Sequence, residues 1–348
     1  MHDVPDSQFM KRALELAARG AGHVAPNPMV GCVIVREGRI IGEGFHERYG
    51  GPHAEVNAIA SVEDPALLQE STLYVTLEPC AHFGKTPPCS NLIIEKRIPR
   101  VVIGNLDPFP AVNGRGIEQL RQAGIHVETN VLNDECRFMN RRFFTFHEKQ
   151  RPYVILKWAQ SSDGFMDIER TTETQGSFMI SHPDTQVLVH RWRAEETAIL
   201  IGRNTLCNDN PSLTVRRVEG PNPLRILLSS EPIDLSSFHL SKEEAPTWVL
   251  TNSSEKTVGI IRYLACGNVH DLGSVLDRLW NEKVLSILVE GGAQVLHSFI
   301  ESGLWDESRI ITGDKQLGQG LRAPKLPFVQ HHAESSAADA IGYYFNKP

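Results

Sequence analysis

Hydrophobic positions in the first half of the chain alternate between strand-like and helical spacing. Apolar residues before Gly20 fall on one helical face, and Asp6 or Ser7 is placed to cap that helix. Short apolar runs predict strands at 30–35, 39–44, 72–77, 100–104 and 125–127. Further helices are predicted at 53–60, from near residue 89, at 116–123 and at 133–149. This alternation implies one sheet with helices packed on its faces.

The same alternation restarts after Arg151-Pro152, where we place a domain boundary. Strands are predicted at 153–158, 198–201, 225–228, 247–250 and 286–289, and helices at 183–193, 272–281 and 294–301. The polar run 208–211 is interpreted as a loop, and the polar tail beyond Pro327 predicts no element. The sequence therefore predicts an α/β protein of two domains, 1–150 and 151–348.

The composition favours a globular protein and argues against a nucleic-acid-binding or membrane protein. A length of 348 residues favours two domains, and 41% hydrophobic and 22% charged residues are ordinary for a globular chain. The net charge of −7 argues against nonspecific binding to nucleic acid. No apolar run has the length of a membrane span, and the first residues lack a signal-peptide pattern. Six dispersed cysteines favour a reducing, cytoplasmic setting. A homo-oligomer is left open.

A histidine, a glutamate and two cysteines occur in the order that zinc hydrolytic chemistry requires, within HAEVNAI (53–59) and TLEPCAHFGKTPPC (76–89). His53, Cys80 and Cys89 would supply three ligands of one zinc ion and leave a fourth position for water. Glu55 would take a proton from the activated water and return it to a leaving amine. The H-x-E … P-C pattern is that of zinc deaminases acting on nucleobases. A closed structural zinc site is disfavoured because only three good ligands are present and an acid is left over.

Four polar residues are candidates for contact with the deaminase substrate. Asn27, at the mouth of a predicted strand, can both donate and accept, which suits a pyrimidine edge, although the pattern alone equally favours a turn asparagine. His46 is a candidate for the same pocket. Eight residues separate Cys80 from Cys89, where many cytidine and tRNA adenosine deaminases have two. That loop contains His82 and Lys85, which could meet a polar or anionic substrate.

These motifs resemble those of the bifunctional riboflavin-biosynthesis deaminase–reductases. The resemblance to the deaminase half rests on PNPMVGCVIV (26–35) and on the order HAE … EPC … GKTPPC. The resemblance to the reductase half rests on ILKWAQSSDG (155–164), SFMIS (177–181), RWRAE (191–195), IGRNTLCNDNPSLTVR (201–216) and LVEGGAQVL (288–296). The resemblance covers nearly the whole chain. It implies a cytidine-deaminase-like three-layer domain followed by a dihydrofolate-reductase-like domain that uses NADPH without the GxGxxG fingerprint, which is absent here.

Matched positions imply two sets of reductase residues. Those expected to face the substrate are Ser177, Arg193, Leu213, Arg216 and Glu290. Those expected to face NADPH are Ala159, Met179, Thr205, Asp209, Ser230, Gly291, Gly292, Ala293 and Gln294. Lys157 and Asp163 lie close by in the matched motif. Arg193 and Arg216 suit a phosphate group, because guanidinium forks match phosphate oxygens.

The resemblance implies two consecutive reactions. Zinc-dependent hydrolysis would remove the 2-amino group of 2,5-diamino-6-(5-phosphoribosylamino)-4(3H)-pyrimidinone, and NADPH would then reduce the ribosyl chain to ribityl. This sequence departs from the reductase pattern of that family at Met179, Asn210 and Ala293, and its stretch after Gly164 is longer than usual. The resemblance therefore leaves the detailed NADPH contacts open.

Two alternatives remain. One is a nucleotide or tRNA deaminase with an unrelated appended domain, which the acidic balance and the cysteine spacing disfavour. The other is a reductase-like half that only binds a ligand.

Overall fold

The computed structural model describes residues 5–81, 87–109, 112–170, 176, 178–327 and 331–346. The chain divides into two compact units, Met1–Lys149 and Gln150–Pro348. Three predicted site residues, His82, Lys85 and Ser177, lie outside the described residues. No helix in the described part of the chain is long and apolar enough to cross a membrane.

The first unit contains a five-stranded sheet with the strand order β2-β1-β3-β4-β5. Its strands are β1 (Gly31–Arg36), β2 (Arg39–Phe45), β3 (Thr72–Leu77), β4 (Arg100–Asn105) and β5 (His126–Glu128). Its helices are α1 (Asp6–Ala18), α2 (Ala54–Ala60), α3 (Cys89–Glu95), α4 (Arg115–Gln122), α5 (Asn133–Met139) and α6 (Arg141–Glu148), with a 3₁₀ turn at Pro65–Glu70. Strand β1 is antiparallel to both neighbours, whereas β3, β4 and β5 are parallel.

Helices cover both faces of this sheet. Cys32 and Ile34 of β1 point to a core shared with α2, α3 and α4, whereas Val33 and Val35 point to a core shared with α1 and α5. This alternation follows from the two-residue period of a strand. The predicted three-layer arrangement is confirmed.

Glycine brings α2 close to the sheet. A Cβ atom on Gly44 of β2 would lie 2.3 Å from the backbone nitrogen of Ala58, so no larger residue fits without moving the helix. This close approach fixes the first turn of α2, which bears His53 and Glu55 at its start.

Two details of the first unit differ from prediction. Asp6 begins α1 instead of capping it, because its carboxylate accepts hydrogen bonds from the Tyr74 hydroxyl (2.6 Å) and the Arg100 guanidinium (2.6 and 3.0 Å). The helix predicted at 133–149 is two helices, which meet at Asn140. The Asn140 amide bonds to both backbone polar groups of Met29 at 2.8 Å, a distant partner that the local pattern does not reveal.

The second unit contains a ten-stranded sheet, ordered β11-β12-β10-β9-β8-β13-β6-β14-β17-β16, and a small pair, β7 and β15. Its strands are β6 (Tyr153–Gln160), β7 (Phe165–Asp167), β8 (Ala198–Gly202), β9 (Leu224–Leu228), β10 (Thr247–Thr251), β11 (Lys256–Val258), β12 (Ile261–Ala265), β13 (Ser286–Val289), β14 (Glu307–Thr312), β15 (Leu321–Arg322), β16 (His332–Ser336) and β17 (Asp339–Phe345). Its helices are α7 (Thr185–Glu195), α8 (Arg203–Asp209), α9 (Leu272–Asn281) and α10 (Ala293–Ser302), with a 3₁₀ turn at His239–Ser241.

The centre of this sheet is parallel and its edges are antiparallel. Helices α9 and α10 pack on one face, and α7 and α8 pack on the other. Strands β9, β8 and β13 are neighbours and run in the same direction, so the loops after their carboxyl ends meet at one edge. Ligands of open α/β sheets bind at such an edge.

Several elements of the second unit were not predicted. Residues 203–209 form α8, so the predicted loop at 208–211 is wrong over its first two residues. The tail beyond Pro327, for which no element was predicted, contains β16 and β17, and Ile341 of β17 is fully buried against β14. Strand β14 was not predicted because it contains two charged residues, Glu307 and Arg309. Both are buried, and the Arg309 guanidinium donates to the Glu307 carboxylate at 2.6 Å.

Candidate active sites

The three predicted zinc ligands converge in the first unit. His53 is the N-cap residue of α2, Cys80 follows β3, and Cys89 begins α3. The Sγ atoms of Cys80 and Cys89 lie 3.6 and 3.3 Å from Nδ1 of His53. All three donor atoms lie within 4.8 Å of one another, and no second cluster of this kind occurs among the described residues.

This donor set fits a tetrahedral zinc ion. Zinc binds sulfur at about 2.3 Å and nitrogen at about 2.0–2.1 Å, which places a sulfur and a nitrogen roughly 3.5 Å apart at the tetrahedral angle. The observed sulfur–nitrogen separations of 3.6 and 3.3 Å lie close to that value. Three protein donors leave one position open, as in catalytic zinc sites.

Hydrogen bonds join the two cysteine segments directly. The backbone N–H of Cys89 donates to Sγ of Cys80 at 3.3 Å, and the N–H and hydroxyl of Ser90 donate to the carbonyl of Cys80 at 3.2 and 3.0 Å. Contacts with Cys89 and His53 lower the pKa of Cys80, which favours the thiolate form that binds metals.

Glu55 lies on the first turn of α2, two residues beyond His53, and its side chain is buried. Burial, together with the charge of Cys80, raises its pKa to about 7. A carboxyl group with a pKa near neutrality is suited to accept and return a proton at physiological pH.

Asn27 and His46, the predicted pyrimidine contacts, lie together beside the ligand set. His46 Nδ1 is 2.9 Å from the carbonyl of Pro52, which can only accept, so Nδ1 carries the proton. Nε2 therefore accepts from the Asn27 amide at 3.1 Å, and the Asn27 carbonyl oxygen points away from that bond. The His46 ring packs edge-on against His53, with centroids 5.6 Å apart.

Two acidic residues near Cys80 were missed by the sequence analysis. Glu78 is buried and accepts hydrogen bonds from the backbone N–H groups of Gly114 and Gly116 at 2.9 Å, so it holds the start of α4 against the loop that bears Cys80. Asp107 is buried, and burial, with the charges of Glu78 and Cys80, raises its pKa to about 7. The sequence could have indicated Asp107 through its position just after β4, because the carboxyl end of β4 lies beside that of β3.

The second unit contains a cavity of 660 Å³ at the carboxyl ends of β8, β9 and β13. This volume lies within the range of about 300–1,000 Å³ that is usual for small-molecule sites. Eight predicted residues line it: Thr205, Asp209, Ser230, Glu290, Gly291, Gly292, Ala293 and Gln294. The stretch after Gly164 also contributes, through Met166, Asp167 and Arg170, which were not predicted.

The cavity fits a phosphate-bearing cofactor. Helix α10 begins at Ala293, and no side chain caps its start, so its first backbone N–H groups are open to a ligand. A Cβ atom on Gly292 would lie 3.1 Å from the Thr205 hydroxyl oxygen, so glycine keeps this turn close to α8.

Glu290 connects the cavity to two cations. The Arg193 guanidinium donates to both of its carboxylate oxygens, at 2.9 and 2.7 Å, and Lys157 Nζ lies 3.6 Å away. Burial alone would raise the pKa of Glu290, but the charges of Arg193 and Lys157 outweigh it and lower the pKa to about 2. Glu290 is therefore ionised at neutral pH.

Of the predicted reductase residues that the structure describes, the others do not line the cavity. Leu213 is buried in the core with a positive φ of 54°, and Arg216 is exposed. Met179 is exposed, and Ala159 packs beside the core of β6. The Asp163 carboxylate accepts hydrogen bonds from the backbone N–H groups of residues 317 and 318, which stabilise a turn.

Comparison with known proteins agrees with the two-part architecture. Residues 4–105 match the family described as cytidine and deoxycytidylate deaminase zinc-binding region, and residues 152–337 match the RibD C-terminal domain. The riboflavin biosynthesis protein RibD of Aquifex aeolicus is 42% identical over 91% of this chain and 89% of its own. RibD of Escherichia coli is 35% identical over 91% of this chain and 90% of its own.

Two solved structures extend this agreement to the fold. A diaminohydroxyphosphoribosylaminopyrimidine deaminase/5-amino-6-(5-phosphoribosylamino)uracil reductase from Thermotoga maritima is 38% identical, with a TM-score of 0.87 over 97% of both chains. Acinetobacter baumannii RibD is 31% identical, with a TM-score of 0.87 over 98% of both. The predicted fold class is confirmed, and a deaminase with an unrelated appended domain is not supported. The chain therefore belongs to the RibD family of bifunctional riboflavin-biosynthesis deaminase–reductases.

Proposed function

We propose that the first unit deaminates 2,5-diamino-6-(5-phosphoribosylamino)-4(3H)-pyrimidinone at its 2-amino group. The observation that carries this proposal is the convergence of His53, Cys80 and Cys89 beside the buried carboxyl group of Glu55. The pyrimidine class of the substrate follows from the name of the Thermotoga maritima relative. A zinc ion held by these three residues supplies the Lewis acidity that makes water nucleophilic near neutral pH.

The residues around the ligand set bind the pyrimidine and move the proton. Glu55 takes the proton of the attacking water and delivers it to the departing amino group, for which its near-neutral pKa is suited. The Asn27 carbonyl oxygen, oriented by His46, accepts a hydrogen bond from an N–H group of the substrate. His82 and Lys85 supply further polar contacts, with Lys85 meeting the phosphate.

The second unit reduces the ribosyl chain of the deaminated product to ribityl. Gly291–Gln294 and the open start of α10 would hold the diphosphate of NADPH in the cavity, and the bound cofactor would supply the hydride. Thr205, Asp209 and Ser230 contact the cofactor from the facing wall.

Charged residues of the second unit hold the reductase substrate. Glu290, kept ionised by Arg193 and Lys157, accepts hydrogen bonds from hydroxyl groups of the sugar chain. The exposed guanidinium of Arg216 binds the phosphate group of the substrate.

Two assays on the full chain test this assignment. Cys80→Ser, or removal of zinc with a chelator, should abolish ammonia release but leave NADPH oxidation intact when the deaminated compound is supplied. Cys207→Ser, which changes an exposed cysteine outside both proposed sites, should alter neither activity. Loss of both activities in a folded Cys80→Ser protein would contradict the proposal of two separate sites.

A further inference from the structure

His190 and Arg193 lie three residues apart on α7, so their side chains leave the same face of the helix. The His190 ring is buried, and its Nδ1 atom accepts a hydrogen bond of 3.0 Å from the backbone N–H of Arg216. Arg193 donates to the carbonyl of Thr214 at 3.3 Å. Neighbouring positions on α7 therefore hold the backbone of residues 214–216.

The bond to Arg216 requires a neutral imidazole. A backbone N–H can only donate, so Nδ1 of His190 must keep its lone pair. Burial lowers the pKa of His190 to about 4, and the positive charges of Arg193, Arg216 and Arg217 lower it in the same direction, against the opposing charge of Glu290. The ring is therefore neutral at physiological pH.

The segment held by His190 presents a cation to the surface. The Arg216 guanidinium donates to the Thr214 hydroxyl at 2.6 Å, within its own segment. Across the described residues no carboxylate forms an ion pair with Arg216. Its position relative to Glu290 thus depends on the backbone of 214–216, which His190, Arg193 and Asn222 fix.

We infer that His190 is a positioning residue of the reductase, which holds the Arg216 backbone so that its guanidinium meets the phosphate group of the substrate. The inference rests on the phosphate role proposed for Arg216. His190 itself contacts neither substrate nor cofactor. A purely structural core histidine would affect stability, whereas a positioning residue also affects the binding of the phosphorylated substrate.

Three substitutions separate these roles. His190→Leu removes the acceptor, His190→Asn places an amide oxygen close to the Nδ1 position, and His190→Gln places it one bond further out. One backbone hydrogen bond corresponds to about a fivefold effect on binding. His190→Leu and His190→Gln should therefore raise the KM for the phosphorylated substrate about fivefold, while kcat and the KM for NADPH change less than about twofold. His190→Asn should restore the wild-type KM.

A double-mutant cycle with Arg216→Ala shows whether His190 acts through Arg216. In the Arg216→Ala background, His190→Gln should raise KM no further. If Arg216→Ala leaves KM unchanged, the phosphate role of Arg216 fails. If Arg216→Ala raises KM but His190→Gln does not, or if the two effects multiply, the role of His190 alone is refuted. The kcat of reduction and the KM for NADPH of the same preparations report that the second unit is folded. If the Leu variant does not fold, the comparison of His190→Asn with His190→Gln still tests whether an acceptor at the Nδ1 position lowers KM.

Discussion

Replacing Glu290 by glutamine should both weaken the second unit and abolish reduction. The Glu290 side chain is 9% exposed and carries the negative charge shared by Arg193 and Lys157, whose side chains are 12% and 13% exposed. Glutamine keeps the volume but removes the charge, so two nearly buried cations would face each other without compensation.

Two independent arguments give a similar loss of folding stability for this substitution. The lowering of the Glu290 pKa from 4.5 to about 2 corresponds to about 3 kcal/mol, since each tenfold change in acidity is worth about 1.4 kcal/mol. Removing one partner of a buried ion pair costs about 3–5 kcal/mol in other proteins. At about 2–4 °C for each kcal/mol in a unit of this size, the melting temperature should fall by roughly 6–12 °C.

The effect has a defined pH dependence. Because the pKa of Glu290 is lower in the folded than in the unfolded chain, its stabilisation is complete above the unfolded value of 4.5 and is lost as the pH falls towards 2. The melting temperatures of the wild type and of Glu290→Gln should therefore differ most at neutral pH and converge as the solution is acidified below pH 4.5.

Thermal melting of the full chain, followed by both activity assays, tests the reasoning. Glu255→Gln is a matched control, because this 51% exposed carboxylate pairs with Arg278 at 2.8 Å on the surface of the same unit. Its loss should cost less than about 1 kcal/mol. Ammonia release should persist in both variants. A fall of less than about 2 °C for Glu290→Gln at neutral pH, or reduction at the wild-type rate, would refute the argument.

Three further predictions concern the first unit. Glu55→Gln should retain zinc, measured by metal analysis, but lose ammonia release by about 10²–10⁴-fold, since an amide cannot accept the water proton; near-normal turnover with zinc bound would show that another group moves the proton. Lys85→Ala should raise the KM for the phosphorylated pyrimidine with little change in kcat, and an unchanged KM would mark Lys85 as a solvated charge. Glu78→Gln should weaken zinc binding in competition with a chelator, because an amide accepts from the backbone N–H groups of Gly114 and Gly116 less strongly than a carboxylate. Unaltered zinc affinity would show that the loop bearing Cys80 holds its position without this contact.

The sequence predicts best those elements whose pattern is local. The predicted bounds of β3, β13 and α9 match the structure, because short apolar runs mark buried strands and an apolar face marks a surface helix. Strand β14 was missed because its polar residues are buried with partners from elsewhere, such as Glu307 with Tyr153 at 3.1 Å.

The same distinction applies to the sites. The zinc ligands and Glu55 are separated by characteristic short intervals, so the motif alone indicates them. Glu78 and His190 act on backbone groups 26 to 39 residues away, at Arg216 and at Gly114 to Ile117, and no local pattern marks such contacts. The lining of the cavity by Met166, Asp167 and Arg170 depends on distant contacts such as that of Arg170 with Asp209 at 3.4 Å, which spacing does not specify.

The direct hydrogen bonds between the segments of Cys80 and Cys89 have a consequence for how this enzyme can diversify. These bonds and the first turn of α3 join the two cysteine segments directly, so contacts within the described residues set the distance between the two sulfur atoms. The sequence between the two cysteines can therefore vary among related enzymes while the zinc ligands keep their spacing.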